Sequence, residues 1–240
     1  MRQEDFFDIE EHQYAQALVE RPPLHTAREI DAIISRLRRH GGVASVVDFG
    51  AGSGRLTIPL LRQRYSVLAV DVSDRSLDNL RRLAQRLRLP PPPTARHLPR
   101  HRRYDAVVGT DILHHVDLDV YLPAIHDTLR AGGRVIFSEP GGGNPTWYIY
   151  LPLTAPWHIE KGVRRCTYLN LRRKLAVHGF GEVSVSGLGL LPRPFFNWSK
   201  ALSALNDALG NLPLIKLFAY RYIIEASARP EPAVGDRAQG

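Results

Sequence analysis

Three glycines at alternate positions, Gly50, Gly52 and Gly54, separate an apolar run at residues 43–49 from a stretch of helical character at 55–62. Among the features of this chain, that turn most narrows what it can fold into. Glycine adopts backbone conformations closed to other residues and lets the chain pass close to a ligand. Between a strand and a helix, such a turn also aims backbone N–H groups at whatever sits above the sheet. A second apolar run at 66–70 ends in Asp71 and predicts the neighbouring strand.

Helical spacing surrounds these runs. Ile30, Ile33, Ile34 and Leu37 predict a helix beginning near Thr26 and stopped by Gly41-Gly42. Leu77, Leu80, Leu83 and Leu87 predict another over 73–89, ended by the prolines at 90–93. Further strands are expected at 94–98, 105–109 and 134–138, with a helix over 116–130 between the last two and a stop at Gly132-Gly133. This alternation implies a parallel sheet with helical crossovers.

The stretch 141–156, rich in Gly, Pro, Trp and Tyr, begins a long loop running to a helix at 169–178. A strand at 182–185, an inserted helix at 199–209 and a last strand region at 215–226 follow. The apolar insert at 188–214 fits either a pocket wall or a dimer contact. Residues 1–23 are expected to form an N-terminal lid, 24–140 the ligand-binding core, 141–228 the acceptor loop, insert and last two strands, and 229–240 a disordered tail. With 240 residues, 44% of them hydrophobic, one domain suffices to bury a continuous core.

The charge of +8 asks for an acidic partner or a solvated surface. Arg81, Arg82, Arg86, Arg88, Arg96, Arg100, Arg102 and Arg103 cluster with only Tyr104 as a stacking aromatic, so a solvated face is favoured over nucleic-acid binding. The single cysteine, Cys166, forms no internal disulfide, and the start of the chain lacks the pattern of a secretory leader. A cytoplasmic location without a membrane span is expected. No His, Cys, Asp and Glu spacing predicts a metal site; Pro99 between His97 and His101 breaks a helical ligand pair.

A dinucleotide fingerprint needs a third glycine where Arg55 stands, which disfavours a pyrophosphate cradle. Asp48 is placed either to attract a cationic ligand or to fix the turn. Asp71, about 20 residues after the glycines, suits ribose hydroxyls, with a role ahead of the next helix as the structural alternative.

At these places the chain resembles the class I S-adenosylmethionine-dependent methyltransferases, in their small-molecule branch. The acid-x-Gly-x-Gly-x-Gly pattern is matched by residues 48–54. Tyr104-Asp105-Ala106-Val107-Val108, Asp111-Ile112-Leu113-His114-His115-Val116, Leu129-Arg130-Ala131-Gly132-Gly133-Arg134-Val135-Ile136 and His178-Gly179-Phe180 are similar to later family segments. The resemblance implies a doubly wound, Rossmann-like α/β fold: seven strands, mostly parallel, helices on both faces and an antiparallel last strand. It implies S-adenosyl-L-methionine as cofactor, leaving S-adenosyl-L-homocysteine. Asp48, Gly50, Ala51, Gly52, Asp71, Val72, Thr110 and His115 would hold it. His97 and Leu98 stand where the family usually has an acid or amide for the adenine.

Methyl transfer requires alignment and exclusion of water, plus a base when the acceptor is a hydroxyl or protonated amine. Candidate bases are His114, His115, Glu139 and His158. Tyr14, Trp147, Tyr148 and Trp157 are candidates for contact with a flat or apolar small-molecule acceptor, with Tyr150 beside them. The acceptor atom is expected to be O or N, with C a third option, and the protein a monomer or homodimer. A nicotinamide-dependent oxidoreductase and a non-catalytic RNA-binding or cofactor-sensing protein are the rival expectations.

Overall fold

The computed structural model describes residues 16–100, 103–154 and 157–230, with backbone alone at 153 and 154. Seven strands, β1 (Ser45–Phe49), β2 (Ser66–Val70), β3 (Thr94–Ala95), β4 (Tyr104–Thr110), β5 (Leu129–Pro140), β6 (Phe180–Leu188) and β7 (Arg221–Ala228), form one sheet in the order β3-β2-β1-β4-β5-β7-β6. The first five strands run parallel, and β7 lies antiparallel between β5 and β6. The order reverses beside β1, where open sheets of this kind bind ligands.

Side chains alternate across the central strands and divide the core in two. Val46, Ala106, Val108 and Ile136 meet α2 (Leu24–Arg39), α3 (Thr57–Arg62) and α4 (Asp74–Arg86) through Ile33, Leu37, Leu60, Leu77, Leu80 and Leu83. Val47, Val107, Val135 and Phe137 meet α5 (Leu118–Thr128) and α8 (Tyr168–Val177) through Leu122, Ile125, Leu171 and Leu175. Apolar residues on both faces are what a parallel sheet covered by helices demands.

Boundaries differ from the sequence expectation where local signals mislead. Gly132-Gly133 lies inside β5 rather than ending a helix, because β5 starts at Leu129, which pairs with Tyr104 before a register shift. The aromatic stretch is helical: α6 (Thr146–Thr154) and α7 (Trp157–Glu160) replace the expected loop. Asn144 supports the start of α6, its side-chain oxygen accepting from the Thr146 N–H and hydroxyl. The insert contributes α9 (Lys200–Leu209), capped by Ser199. Of the expected lid, α1 (Gln16–Glu20) is described; Tyr14 and most of the expected tail lie outside the described residues.

Candidate functional site

Asp71 organises the glycine turn. Its Oδ2 accepts the Gly52 N–H at 2.8 Å and its Oδ1 the Ser73 N–H at 2.9 Å. The Gly50 and Ala51 N–H groups donate to the Val70 carbonyl at 2.9 and 3.0 Å, clamping the end of β1 to the end of β2. The helix cap itself is Ser73, which accepts from the Ser76 N–H. Gly50 has φ +76°, and a Cβ there would stand 2.7 Å from Ile112. At Gly52, φ +50°, a Cβ would meet no atom within 4 Å. The turn is therefore closed toward Ile112 at Gly50 and open beside Gly52, as a ligand cradle requires.

Above the turn lies a cavity of about 1190 Å³. Of the residues nominated from the sequence for the cofactor, Gly50, Ala51, Gly52, Asp71, Val72, His97, Leu98, Thr110 and His115 line it. Leu18 of α1 also reaches it, as do Arg55, Asp111 and Ile112, none of them a cofactor candidate from the sequence. Arg96, Arg100, Val116 and Tyr121 extend the wall.

Asp48 lies behind the turn, outside the cavity. It is buried and accepts the Thr57 hydroxyl at 2.5 Å, so it fixes the start of α3 to β1. Burial pushes its carboxyl up to about 7 despite that hydrogen bond. A carboxyl with a native pKa above its unfolded value holds its proton more tightly when folded. Its cost is thus absent below about pH 4 and complete above about pH 7. At high pH the cost is on the order of 4 kcal/mol. Wild-type stability is expected to fall relative to Asp48→Asn between pH 4 and 8, by a few kcal/mol in urea unfolding. Parallel profiles for the two proteins would refute the assignment.

His114 is not placed as a base. Its Nδ1 lies 2.7 Å from Glu139 Oε2 and its Nε2 3.2 Å from Glu160 Oε2. Burial alone would lower its pKa, but hydrogen bonds to the two glutamates outweigh this and raise it to about 10. The ring is thus an imidazolium at neutral pH, clamped on both sides. His115 packs against it, ring centroids 3.9 Å apart, and lines the cavity. Burial, with charged His114 beside it, depresses the pKa of His115 to about 4 and keeps it neutral. Ligand-type atoms of His114, His115 and Glu160 lie within 4.8 Å of one another, a juxtaposition absent from the sequence pattern. The ion pairs of His114 account for that grouping.

Glu139 is also structural. Fully buried at the end of β5, it accepts the backbone N–H groups of Ile112 and Leu113, each at 2.8 Å, and that of His114 at 3.4 Å. This carboxylate shapes the whole turn after β4. His158 is exposed on α7 and does not line the cavity.

The aromatic candidates pack the loop instead of facing the cavity. Trp147 stacks on Tyr220 with centroids 4.3 Å apart and donates to the Tyr220 carbonyl at 2.6 Å. The Tyr148 hydroxyl donates to the Gly142 carbonyl at 2.6 Å, and Arg164 sits 4.9 Å from the Trp157 ring centre. The indole of Trp147 and the hydroxyl of Tyr148 bond backbone carbonyls while the rings pack locally, a demand that looks the same in sequence as a pocket.

Beneath the cavity, Asp111 joins two arginines. Its carboxylate contacts Arg55 and Arg221, each at 2.6 Å, and Arg221 continues to Glu29 at 3.1 Å. Burial would raise the Asp111 pKa, but Arg221 and Arg55 hold it well below the usual range. Asp111 has φ +55°, a conformation uncommon outside glycine and asparagine that is sustained here by these contacts. Within the arginine stretch, Arg81 pairs with Asp78, Arg86 with Glu20 and Arg96 with Asp74.

A family model described as a methyltransferase domain matches residues 47–135. No curated protein sequence matches the chain. Magnesium protoporphyrin IX methyltransferase from Synechocystis PCC 6803, with bound S-adenosylmethionine, is similar at 19% identity, over 85% of this chain and 80% of that one, with a TM-score of 0.52. Geranyl diphosphate C-methyltransferase from Streptomyces coelicolor A3(2) is 18% identical over 85% and 79%, with a TM-score of 0.58. A possible histamine N-methyltransferase from Thermotoga maritima is 15% identical over 95% and 100%, with a TM-score of 0.65. The match to a methyltransferase domain spans β1 to the first half of β5, and the chain shares the class I fold of these S-adenosylmethionine-dependent methyltransferases.

Proposed function

We propose that this chain is an S-adenosylmethionine-dependent methyltransferase that acts as a single domain in the cytoplasm and transfers a methyl group to an O, N or C atom of a small-molecule acceptor. The observation that carries this is the cavity of about 1190 Å³ over the glycine turn. Its volume exceeds the 300–1,000 Å³ usual for one small ligand, leaving room for cofactor and acceptor together. Magnesium protoporphyrin, geranyl diphosphate and histamine, the compounds in the names of the three similar structures, are all small molecules.

Gly50, Ala51 and Gly52 would hold the methionine part of S-adenosylmethionine, Asp71 and Val72 its ribose, and His97, Leu98 and Thr110 its adenine side. Bound there, the cofactor supplies an electrophilic methyl group on a sulfonium. The chain's own task is to align the acceptor and exclude water. His115, in the cavity wall and neutral, is the side chain we assign to contact the acceptor. Nothing in the comparisons supports the nicotinamide or RNA readings.

Calorimetric titration of the purified chain with S-adenosylmethionine and, separately, NADH tests the proposal. Binding of the first alone is expected, followed by S-adenosylhomocysteine release when hydroxyl- or amine-bearing small molecules are screened. Binding of NADH without S-adenosylmethionine would overturn it.

A further inference from the structure

The insert between β6 and β7 carries a helix turned inside out. Along α9 the buried residues are polar: Ser203, Asn206 and Asp207. Asn206 accepts from the Leu190 and Leu191 N–H groups at 3.2 and 3.0 Å and donates to the Leu191 carbonyl at 3.0 Å. Asp207 is bonded by Arg193 at 2.9 Å and Arg28 at 2.6 Å. The outer face instead presents Leu202, Leu205 and Leu209, at helical spacing. A surface helix ordinarily shows the reverse arrangement.

The neighbouring residues extend this face. Phe195 is 72% exposed, Trp198 77% and Leu214 78%, with Leu212 and Phe218 also outward. An exposed apolar surface of this extent marks an interaction site. The charged residues of 191–218 are Arg193, Lys200, Asp207 and Lys216. Arg193 and Asp207 are buried against each other, so the charges left at the surface are both cationic. Lys200 is exposed, and the Lys216 ammonium stands 5.2 Å from the Tyr168 ring centre.

We propose that this face seats the protein on an anionic lipid surface, with Trp198, Phe195 and the leucines entering the headgroup boundary and the lysines meeting lipid phosphates. Within residues 191–218, exposed aromatics and leucines stand beside lysines with no exposed acid, a combination that suits a membrane interface. The Asn144 amide donates to the Leu190 and Phe218 carbonyls at 2.8 and 2.7 Å, tying both sides of the insert to the loop that opens α6. That helix also exposes Ile149 and Tyr150. Docking would therefore bring this loop toward the lipid.

Flotation of the full chain with phosphatidylcholine vesicles, with and without about one third phosphatidylglycerol, tests this independently of methyl transfer. The wild type is expected to float with the anionic vesicles, at least 10-fold more than with the neutral ones. A variant carrying Phe195→Ser, Trp198→Ser and Leu205→Ser is expected to lose that binding while its melting temperature and S-adenosylmethionine affinity stay unchanged. Absence of wild-type binding to either vesicle would overturn the proposal. So would a wild-type dimer that the same variant converts to a monomer, which would assign the face to a second copy.

Discussion

Glu139→Ala is expected to destabilise the protein by about 3–5 kcal/mol, the cost of leaving a buried charge without its partner. Glu139 Oε1 takes two backbone N–H groups, and Oε2 takes the His114 ring and backbone. Truncation would leave these donors in a site without water access, with the His114 imidazolium keeping only Glu160. Urea unfolding at pH 7 measures the loss. Glu139→Gln retains one acceptor oxygen and is expected to recover part of it. A Glu139→Ala protein within about 1 kcal/mol of wild type would show that the turn after β4 holds without the carboxylate. Because Glu139 does not reach the cavity, folded Glu139→Gln is expected to keep its affinity for S-adenosylmethionine.

Asp71→Ala is expected to weaken S-adenosylmethionine binding by about 100-fold or more, equivalent to about 2.7 kcal/mol. Two effects combine. The variant frees the Gly52 and Ser73 N–H groups that the carboxylate now holds, loosening the cradle. It also removes the acceptor proposed for the ribose hydroxyls, and charge-assisted hydrogen bonds contribute about 1.5–3 kcal/mol each. Asp71→Asn preserves shape but not charge and is expected to lose about 10-fold. Calorimetric titration reads both. Affinity within threefold of wild type in Asp71→Ala would remove this residue from the site.

Much of the fold was legible because its signals are local. Leu77, Leu80 and Leu83 are buried on one helix face, and the runs ending at Phe49 and Val70 are the adjacent strands β1 and β2. The glycine turn and Asp71 were legible for the same reason: a tight strand-to-helix connection places its demands on consecutive residues. Boundaries failed where pairing outweighed propensity, as at Gly132-Gly133 inside β5. Trp147 and Tyr148 were misassigned because an aromatic that packs a loop and one that lines a pocket share the same chemistry until a partner such as Tyr220 is known.

The sequence by itself determined the strand and helix alternation, the glycine cradle and most of the residues facing the cavity, since these depend on side chains near one another along the chain. Tertiary structure alone decided how charge is distributed. Glu160 lies 46 residues from His114, and Arg221 lies 110 from Asp111, yet each pair is in contact. Those contacts convert one histidine to a clamped cation, leave its neighbour neutral in the cavity, and hold Asp111 in a strained turn. They also turn the polar side of α9 inward, because Arg28, 179 residues away, joins Arg193 of the same insert on Asp207. Burial and partner decide the state of an ionisable group, and both are properties of the folded chain.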